Sequence, residues 1–182
     1  MENLDAPRIL PGLPGTGNMP RQFSASGQGM HSEGLVVEFA AGSSWAWIGN
    51  FQPGLTKFSA VFSSEEGVEA TVLAGGQGYT VNLKTGELLA QFGGDIESAL
   101  EIQTSCCLLL CSATDFELHR RGSGEVVWRS RRISWDGFRK LSLCGDELQG
   151  EAWMFDDTWH AFSIALETGL VKGGSYYDWP QA

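Results

Sequence analysis

The sequence has few charged residues, few histidines and no long apolar run. Charged residues make up 19% of its 182 residues, and only three are histidines. The longest strongly apolar run, residues 106–113, is far shorter than the roughly 20 residues that a transmembrane helix needs. The first thirty residues lack the basic start and apolar core of a secretory signal. The sequence therefore predicts a cytoplasmic protein that does not enter a membrane.

The sequence also lacks the short motifs that signal catalysis or metal binding. It contains no Gly-x-Ser-x-Gly elbow and no His-Glu-x-x-His pattern. The four cysteines have no zinc-finger spacing and are expected to be buried structural thiols; they are Cys106, Cys107, Cys111 and Cys144. We therefore expect no enzymatic activity, no metal and no cofactor. A hydrolase whose site is assembled only by folding stays an alternative.

The charge distribution is uneven along the chain. The formal net charge of −10 argues against a nucleic-acid ligand. Seven of the twelve basic residues nevertheless lie between positions 120 and 140. They could form a site for an anion or an acidic partner, because guanidinium groups offer forked donors to carboxylates and phosphates. Cross-strand neutralisation is the favoured interpretation, with the acidic partners expected to be Glu147, Glu151, Asp156 and Asp157.

Residues 1–33 differ in composition from the rest of the chain. Four of the six prolines lie here, alternating with glycines, and no apolar periodicity is present. Such a composition is typical of an extended or flexible segment. We therefore expect an extended lead-in over residues 1–33, followed by a single β-meander domain over residues 34–182.

Three similar phrases occur at residues 78–89, 116–128 and 160–171. Each has an alternating stretch, a turn that ends in glycine, and a second apolar stretch. The turn glycines, Gly86, Gly124 and Gly169, are 38 and 45 residues apart. These spacings are typical of four-stranded repeat units. Glycine suits the turns because a short hairpin often forces its last residue to positive φ. The sequence thus predicts an all-β fold of repeated antiparallel meanders.

The phrase at residues 79–89 resembles the blade repeat of quinoprotein-like β-propellers, in which a strand ends at Thr-Gly and leads into an outer strand. Residues 116–128 resemble it as well, including Trp128 at the end of the outer strand, and the third copy keeps Thr168 and Gly169. The resemblance covers residues 68–176 and implies a propeller-like fold. None of the family's cofactor-binding residues can be matched here. A twisted barrel or sandwich is the alternative fold, and a closed ring, an open meander or a homodimer of half-rings all stay open.

Tryptophan and acidic residues recur together at residues 135–137, 153–160 and 176–179. These residue types pack cores, anchor protein interfaces and stack on sugars. We expect a non-catalytic protein that binds another macromolecule, for example an inhibitor or immunity-type partner of a basic protein. A carbohydrate or small-molecule binding module is the alternative. The predicted binding surface consists of Arg129, Arg131, Arg132, Trp135, Trp153 and Trp159.

Overall fold

A computed structural model describes residues 6–17, 19–27, 29–39, 46–64 and 67–176. The described residues form sixteen β-strands and one turn of 3₁₀ helix, arranged in four four-stranded sheets. This confirms the all-β prediction with propeller-like meander repeats. No helix in the described part of the chain has the length and hydrophobicity to cross a bilayer.

Sheet A takes two of its strands from the segment that was predicted only to be an extended lead-in. Its strands are β1 (Arg8–Leu10), β2 (Arg21–Phe23), β3 (Leu35–Phe39) and β4 (Trp47–Phe51). Their order is β1-β3-β4-β2, and β2 runs parallel to β4. Three-residue strands between prolines and glycines carry too little alternation to be recognised in a sequence.

Sheets B, C and D are meanders in which each strand lies beside the next one in the chain. Sheet B contains β5 (Ala60–Ser63), β6 (Glu69–Ala74), β7 (Gln77–Asn82) and β8 (Leu88–Gly93). Sheet C contains β9 (Ser98–Ile102), β10 (Cys107–Cys111), β11 (Phe116–Arg120) and β12 (Val126–Arg129), with the helical turn η1 (Gln103–Ser105) after β9. Sheet D contains β13 (Phe138–Cys144), β14 (Glu147–Trp153), β15 (Trp159–Ala165) and β16 (Val171–Gly173).

The chain forms two compact units, each with its own core. The first unit comprises the described residues within 1–97 and 120–125, and the second those within 98–119 and 126–182. Sheets A and B supply the first core, which is rich in aromatic rings, among them Phe23, Phe39, Trp47, Phe51 and Tyr79. Sheets C and D and the segment between them supply the second core, which is mainly aliphatic and includes Leu109, Leu118, Ile133, Leu148 and Ile164.

The three predicted repeat turns have the same backbone hydrogen bonds. The glycine N–H donates to the carbonyl four residues earlier, from Gly86 to Asn82, from Gly124 to Arg120 and from Gly169 to Ala165. The φ angles of the glycines are 65°, 68° and 70°, in the left-handed region that glycine adopts without steric cost. The repeat phrases therefore encode one hairpin geometry three times.

The prediction for the cysteines is half wrong. Cys107 and Cys111 are buried in β10, where all five residues are buried, as expected. Cys106 and Cys144 are exposed. Cys106 does not belong to the apolar strand, because it ends η1 in a left-handed conformation with φ of 51°. Cys144 is the last residue of β13, a strand on the edge of sheet D.

Candidate functional site

The predicted binding residues all lie in the second unit, and the segment after β12 holds three of them. Residues 130–137 form no regular element, but backbone hydrogen bonds fix their path. The N–H groups of Ile133 and Ser134 both donate to the carbonyl of Thr114, at 2.8 and 3.2 Å. Gly137 donates to Ala113 at 2.6 Å. The segment is therefore pinned to the turn between β10 and β11.

The carbonyl of Trp153, at the end of β14, joins three segments of the unit. It accepts hydrogen bonds from the backbone N–H of Trp135 at 3.1 Å and from the hydroxyl of Ser175 at 2.5 Å. The hydroxyl of Ser134 donates to the carbonyl of Gly137 at 2.6 Å and accepts from the backbone N–H of Trp153 at 3.1 Å. Both serines are fully buried, so these bonds form away from water and hold their partners in one arrangement. The contribution of Trp153 to the site is this backbone scaffold.

Arg132 lies over two aromatic rings on this scaffold. Its guanidinium carbon is 4.6 Å from the ring centroid of Tyr176 and 5.5 Å from that of Trp135. Its Nε donates to the carbonyl of Ser134 at 3.0 Å and its Nη2 to the carbonyl of Trp135 at 2.9 Å. The guanidinium group is thus oriented by hydrogen bonds and by cation–π contacts at once.

Phe155 completes the group from the turn between β14 and β15. Its ring meets Trp135 edge to face, with centroids 5.4 Å apart and an interplanar angle of 89°. Trp135 in turn packs against Tyr176 at 5.1 Å. Phe155 is nevertheless 63% exposed. We call Arg132, Trp135, Phe155 and Tyr176 the aromatic-arginine cluster.

Arg131 lies beside this cluster but is turned towards backbone. It donates to the carbonyls of Arg132 at 2.9 Å, Tyr176 at 3.1 Å and Gly173 at 2.7 Å. These bonds connect the segment after β12 to the last residue of β16 and to Tyr176 beyond it. Arg131 is therefore a clamp for the cluster and also adds a positive charge next to it.

The other two predicted residues, Arg129 and Trp159, lie elsewhere in the unit. Arg129 is on β12 and its Nε is 2.5 Å from the carboxylate of Glu117. Trp159 is on β15 and carries the guanidinium of Arg139, 4.2 Å from its ring centroid. The predicted surface is thus divided. Of its six members, only Arg132 and Trp135 make a ring contact with each other.

The favoured neutralisation is found for part of the basic segment. Four of its seven basic residues form ion pairs with carboxylates of the described residues, namely Arg120, Arg129, Arg139 and Lys140. Arg139 and Lys140 bind the two carboxylate oxygens of Glu151, at 2.6 and 3.0 Å, and their hydrogen bonds hold the pKa of Glu151 below its ordinary value. Of the four acids expected as partners, only Glu151 makes such a pair among the described residues. Glu147 is paired with Lys172 instead, at 4.0 Å.

His119 and Glu117 form a second polar group in this unit. The imidazole of His119 is buried, and its Nε2 is 2.7 Å from Glu117. A hydrogen bond from His119, followed in weight by the contact with Arg129, lowers the pKa of Glu117 even though partial burial acts in the opposite direction. Glu117 therefore stays ionised between two donors.

Asp156, Thr158 and His160 form a chain that superficially resembles a nucleophile with its base. The hydroxyl of Thr158 is 2.6 Å from Asp156 and 2.9 Å from the Nε2 of His160. The hydroxyl and the backbone N–H of Thr158 lower the pKa of Asp156. Because a hydroxyl has one proton, Thr158 donates to Asp156 and accepts from His160. These hydrogen bonds hold the turn between β14 and β15 together.

Sequence reasoning selected Arg132 and Trp135 but not Phe155 and Tyr176. Both rings belong to the tryptophan-rich stretches. Phe155 directly precedes the turn-forming sequence Asp-Asp-Thr, and this position at a turn could have indicated an exposed ring. Residues 177–179 of the same stretches lie outside the described residues. Within the described part of the chain, no three or more His, Cys, Asp or Glu side chains are placed to hold a metal ion.

Comparison with known proteins gives no family assignment. No family model matches the chain, and no curated protein matches it. Among solved structures, it is similar to BamB from Moraxella catarrhalis, at 10% sequence identity and a TM-score of 0.41. The match covers 90% of this chain and 61% of the BamB chain, so the protein spans less than two thirds of that structure's length. A likeness of this level identifies neither a family nor a function.

Proposed function

We propose that the protein is a non-catalytic binding protein that recognises another protein through the aromatic-arginine cluster. The observation that carries this proposal is the exposed ring of Phe155, held edge-on against Trp135 beside a guanidinium that is stacked on Tyr176. Aromatic residues and arginine are the types enriched among the anchors of protein interfaces.

The rigidity of the cluster supports this proposal. Trp135, Arg132 and Tyr176 are already ordered by the buried serines and by the carbonyl of Trp153. Ordering a side chain at an interface costs about 0.5–1.5 kcal/mol, so groups that are fixed in advance leave more of the contact energy for binding. The exposed ring of Phe155 would lose its contact with water when a partner covers it.

The charges around the cluster are mixed. Neither Arg131 nor Arg132 makes an ion pair among the described residues. Two exposed acids also belong to this region: Asp136 directly follows Trp135, and Asp157 lies two residues after Phe155. Polar and charged residues of both signs are typical of the rim around an aromatic interface core. At longer range the net charge of −10 attracts basic proteins, which suits an inhibitor or immunity-type partner of a basic protein.

Capture of partners from the native cell tests this proposal, with Phe155→Ala as the variant. Leu170→Ala is the matched control, because Leu170 is an apolar residue of the same unit and is 65% exposed. We expect Phe155→Ala to reduce the amount of specific partner at least tenfold, about 1.4 kcal/mol or more, and Leu170→Ala to leave it unchanged. Equal capture by both variants, or no specific partner with the unmodified protein, would contradict the proposal.

A carbohydrate ligand is the second candidate, because the exposed ring of Phe155 directly precedes the exposed acids Asp156 and Asp157. Rings and carboxylates together can stack on a sugar and bind its hydroxyls. The hydrogen bonds from Thr158 already engage Asp156, however, which leaves Asp157 as the available acid. Quenching of tryptophan fluorescence by oligosaccharides, abolished in Phe155→Ala, would favour this candidate over a protein partner.

A further inference from the structure

Residues 21–23 lie in the first unit as a bound extended peptide would. They run parallel to β4, with Arg21 opposite Gly49 and Phe23 opposite Phe51. The N–H of Gln52 continues the ladder and donates to the carbonyl of Phe23 at 2.9 Å. We call the surface that receives them the β4 groove; it consists of Trp47, Asn50, Phe51, Tyr79 and Thr85.

The deepest contact in the β4 groove is a pocket for one aromatic ring. Phe23 stacks on Phe51 with centroids 4.5 Å apart and an interplanar angle of 8°. Trp47 and Tyr79 form the sides of the pocket, at 6.0 and 6.5 Å. Phe23 is only 6% exposed, so its ring is almost completely removed from water. This pocket selects an aromatic side chain by shape and apolar contact.

Two residues earlier, the groove provides a site for a guanidinium group. Arg21 lies over Trp47, 5.1 Å from its ring centroid, and donates to the carbonyl of Thr85. Gly86 leaves room for this group, since a Cβ at that position would collide with the guanidinium. Residues i and i+2 of a strand share one face, so the guanidinium and the aromatic ring point to the same side.

Gln22, the residue between Arg21 and Phe23, makes its side-chain contact on the opposite face of the strand. Gln22 accepts a hydrogen bond from the side-chain amide of Asn50 at 2.9 Å. Asn50 is fully buried, and its oxygen accepts from the N–H of Gly34 at 2.8 Å. That second bond fixes which way the amide points, so the groove presents a donor to the middle position.

We infer that the β4 groove is a recognition site for an extended segment of a partner protein with a basic residue followed two positions later by an aromatic one. Residues 21–23 are its resident occupant and compete with that segment. Ladder hydrogen bonds supply affinity in this mode of recognition, and pockets for alternate side chains supply specificity. The aromatic face and carbonyl that receive Arg21, together with the net charge of −10, favour a cationic ligand.

A labelled peptide with the sequence of residues 19–27 tests this inference on the full-length protein. Arg21→Ala weakens the resident occupant while keeping Phe23 in the core. Arg8→Ala is the matched control, because Arg8 is an exposed arginine on β1, at the other edge of sheet A, where it binds Glu38. Fluorescence anisotropy should show the peptide binding Arg21→Ala about tenfold more tightly than the unmodified protein or Arg8→Ala. The unmodified protein and Arg8→Ala should bind the peptide more weakly because their intact resident segment is tethered at a high effective concentration and is therefore harder to displace.

Two altered peptides establish the specificity of the groove. Peptides carrying Arg21→Ala or Phe23→Ala should each bind the Arg21→Ala protein at least tenfold more weakly than the original peptide. Equal binding of the Phe23→Ala peptide, equal binding of the original peptide to all three proteins, or no binding to a cooperatively melting Arg21→Ala protein would overturn the inference. A Phe23→Ala protein, if it folds, should bind the original peptide more tightly still.

Discussion

Trp47 in the first unit and Trp128 in the second make equivalent hydrogen bonds. The indole N–H of Trp47 donates to the carbonyl of Leu83 at 2.8 Å, and that of Trp128 donates to the carbonyl of Leu166 at 2.7 Å. Both acceptors directly follow the first residue of a repeat turn, Asn82 or Ala165. Each bond joins two sheets of one unit, A to B and C to D.

Gly86 in the first unit and Gly169 in the second are covered by different side chains. In the second unit Trp128 lies on the outer strand β12 and its ring directly covers Gly169. In the first unit Trp47 lies on β4, and Gly86 is covered by Arg21 from the added strand β2. The repeat phrase thus specifies the turn. In the first unit, however, the side chain that covers Gly86 comes from β2, which carries no repeat phrase.

The largest expected effect concerns the added strand. Phe23→Ala should lower the free energy of unfolding by about 3–5 kcal/mol, because it removes a buried ring from the first core. Met19→Ala is the control, since Met19 lies two residues before β2 and is 83% exposed. Urea unfolding followed by tryptophan fluorescence measures both. A loss below about 1 kcal/mol for Phe23→Ala would mean that the segment is a loose lead-in after all.

The turn glycines provide the next comparison. Gly169→Ala should cost about 2–4 kcal/mol, because it combines positive φ with a Cβ that lies 2.7 Å from the rigid indole of Trp128. Gly86→Ala, at nearly the same φ, should cost about 1–2 kcal/mol, since the flexible guanidinium of Arg21 can move aside.

Gly145→Ala supplies the baseline for this pair of variants. Gly145 has φ of 60°, and no atom of the described residues outside its chain neighbours lies within 4 Å of the position that a Cβ would take. Its substitution should therefore cost only the backbone term of about 1 kcal/mol. Thermal unfolding of the three variants under one condition measures the differences. Equal losses for Gly169→Ala and Gly86→Ala would show that the two covers are equivalent.

The smallest expected effect is a difference between the two units in how their stability depends on pH. The first unit buries a neutral amide pair, Asn50 with Gln22, whereas the second buries His119 against the carboxylate of Glu117. Because the folded-state pKa of Glu117 lies below its ordinary value of 4.5, its ionised form stabilises the folded state above that value. This contribution is lost as the pH falls through the lowered pKa.

Glu117→Gln should therefore cost about 1–2 kcal/mol at neutral pH, and the difference from the unmodified protein should shrink as the pH falls below 4.5. Gln22→Ala is the control in the first unit, and its loss should not change over the same range because amides do not titrate. Urea unfolding at several pH values measures both differences. A pH-independent loss for Glu117→Gln would show that the carboxylate charge adds nothing to folding.

The hairpins could be read from the sequence because their cause is local. Gly86, Gly124 and Gly169 each close a short turn whose positive φ depends on neighbouring residues alone. The buried strand β10 was equally visible as a continuous apolar run. β2 was not, because Arg21, Gln22 and Phe23 form a strand only where β4 offers them a partner and a pocket.

The candidate site was visible only in part for a similar reason. Arg131 and Arg132 are neighbours of the same type, yet one is bound to three carbonyls and the other is stacked on two rings. Arg129 and Trp159 have the expected chemistry but face partners on their own sheets. Phe155 joins Trp135 only because the turn after β14 returns to the segment after β12.

The sequence by itself determined the all-β class, the repeated hairpins and the concentration of basic residues between positions 120 and 140. Local φ preferences and side-chain alternation are properties of a few consecutive residues, so they can be read directly. Only the tertiary structure decided which segment completes sheet A, which arginines are neutralised and which rings gather around Arg132. Those outcomes depend on contacts between residues far apart in the chain, such as Phe23 with Phe51 and Arg132 with Tyr176.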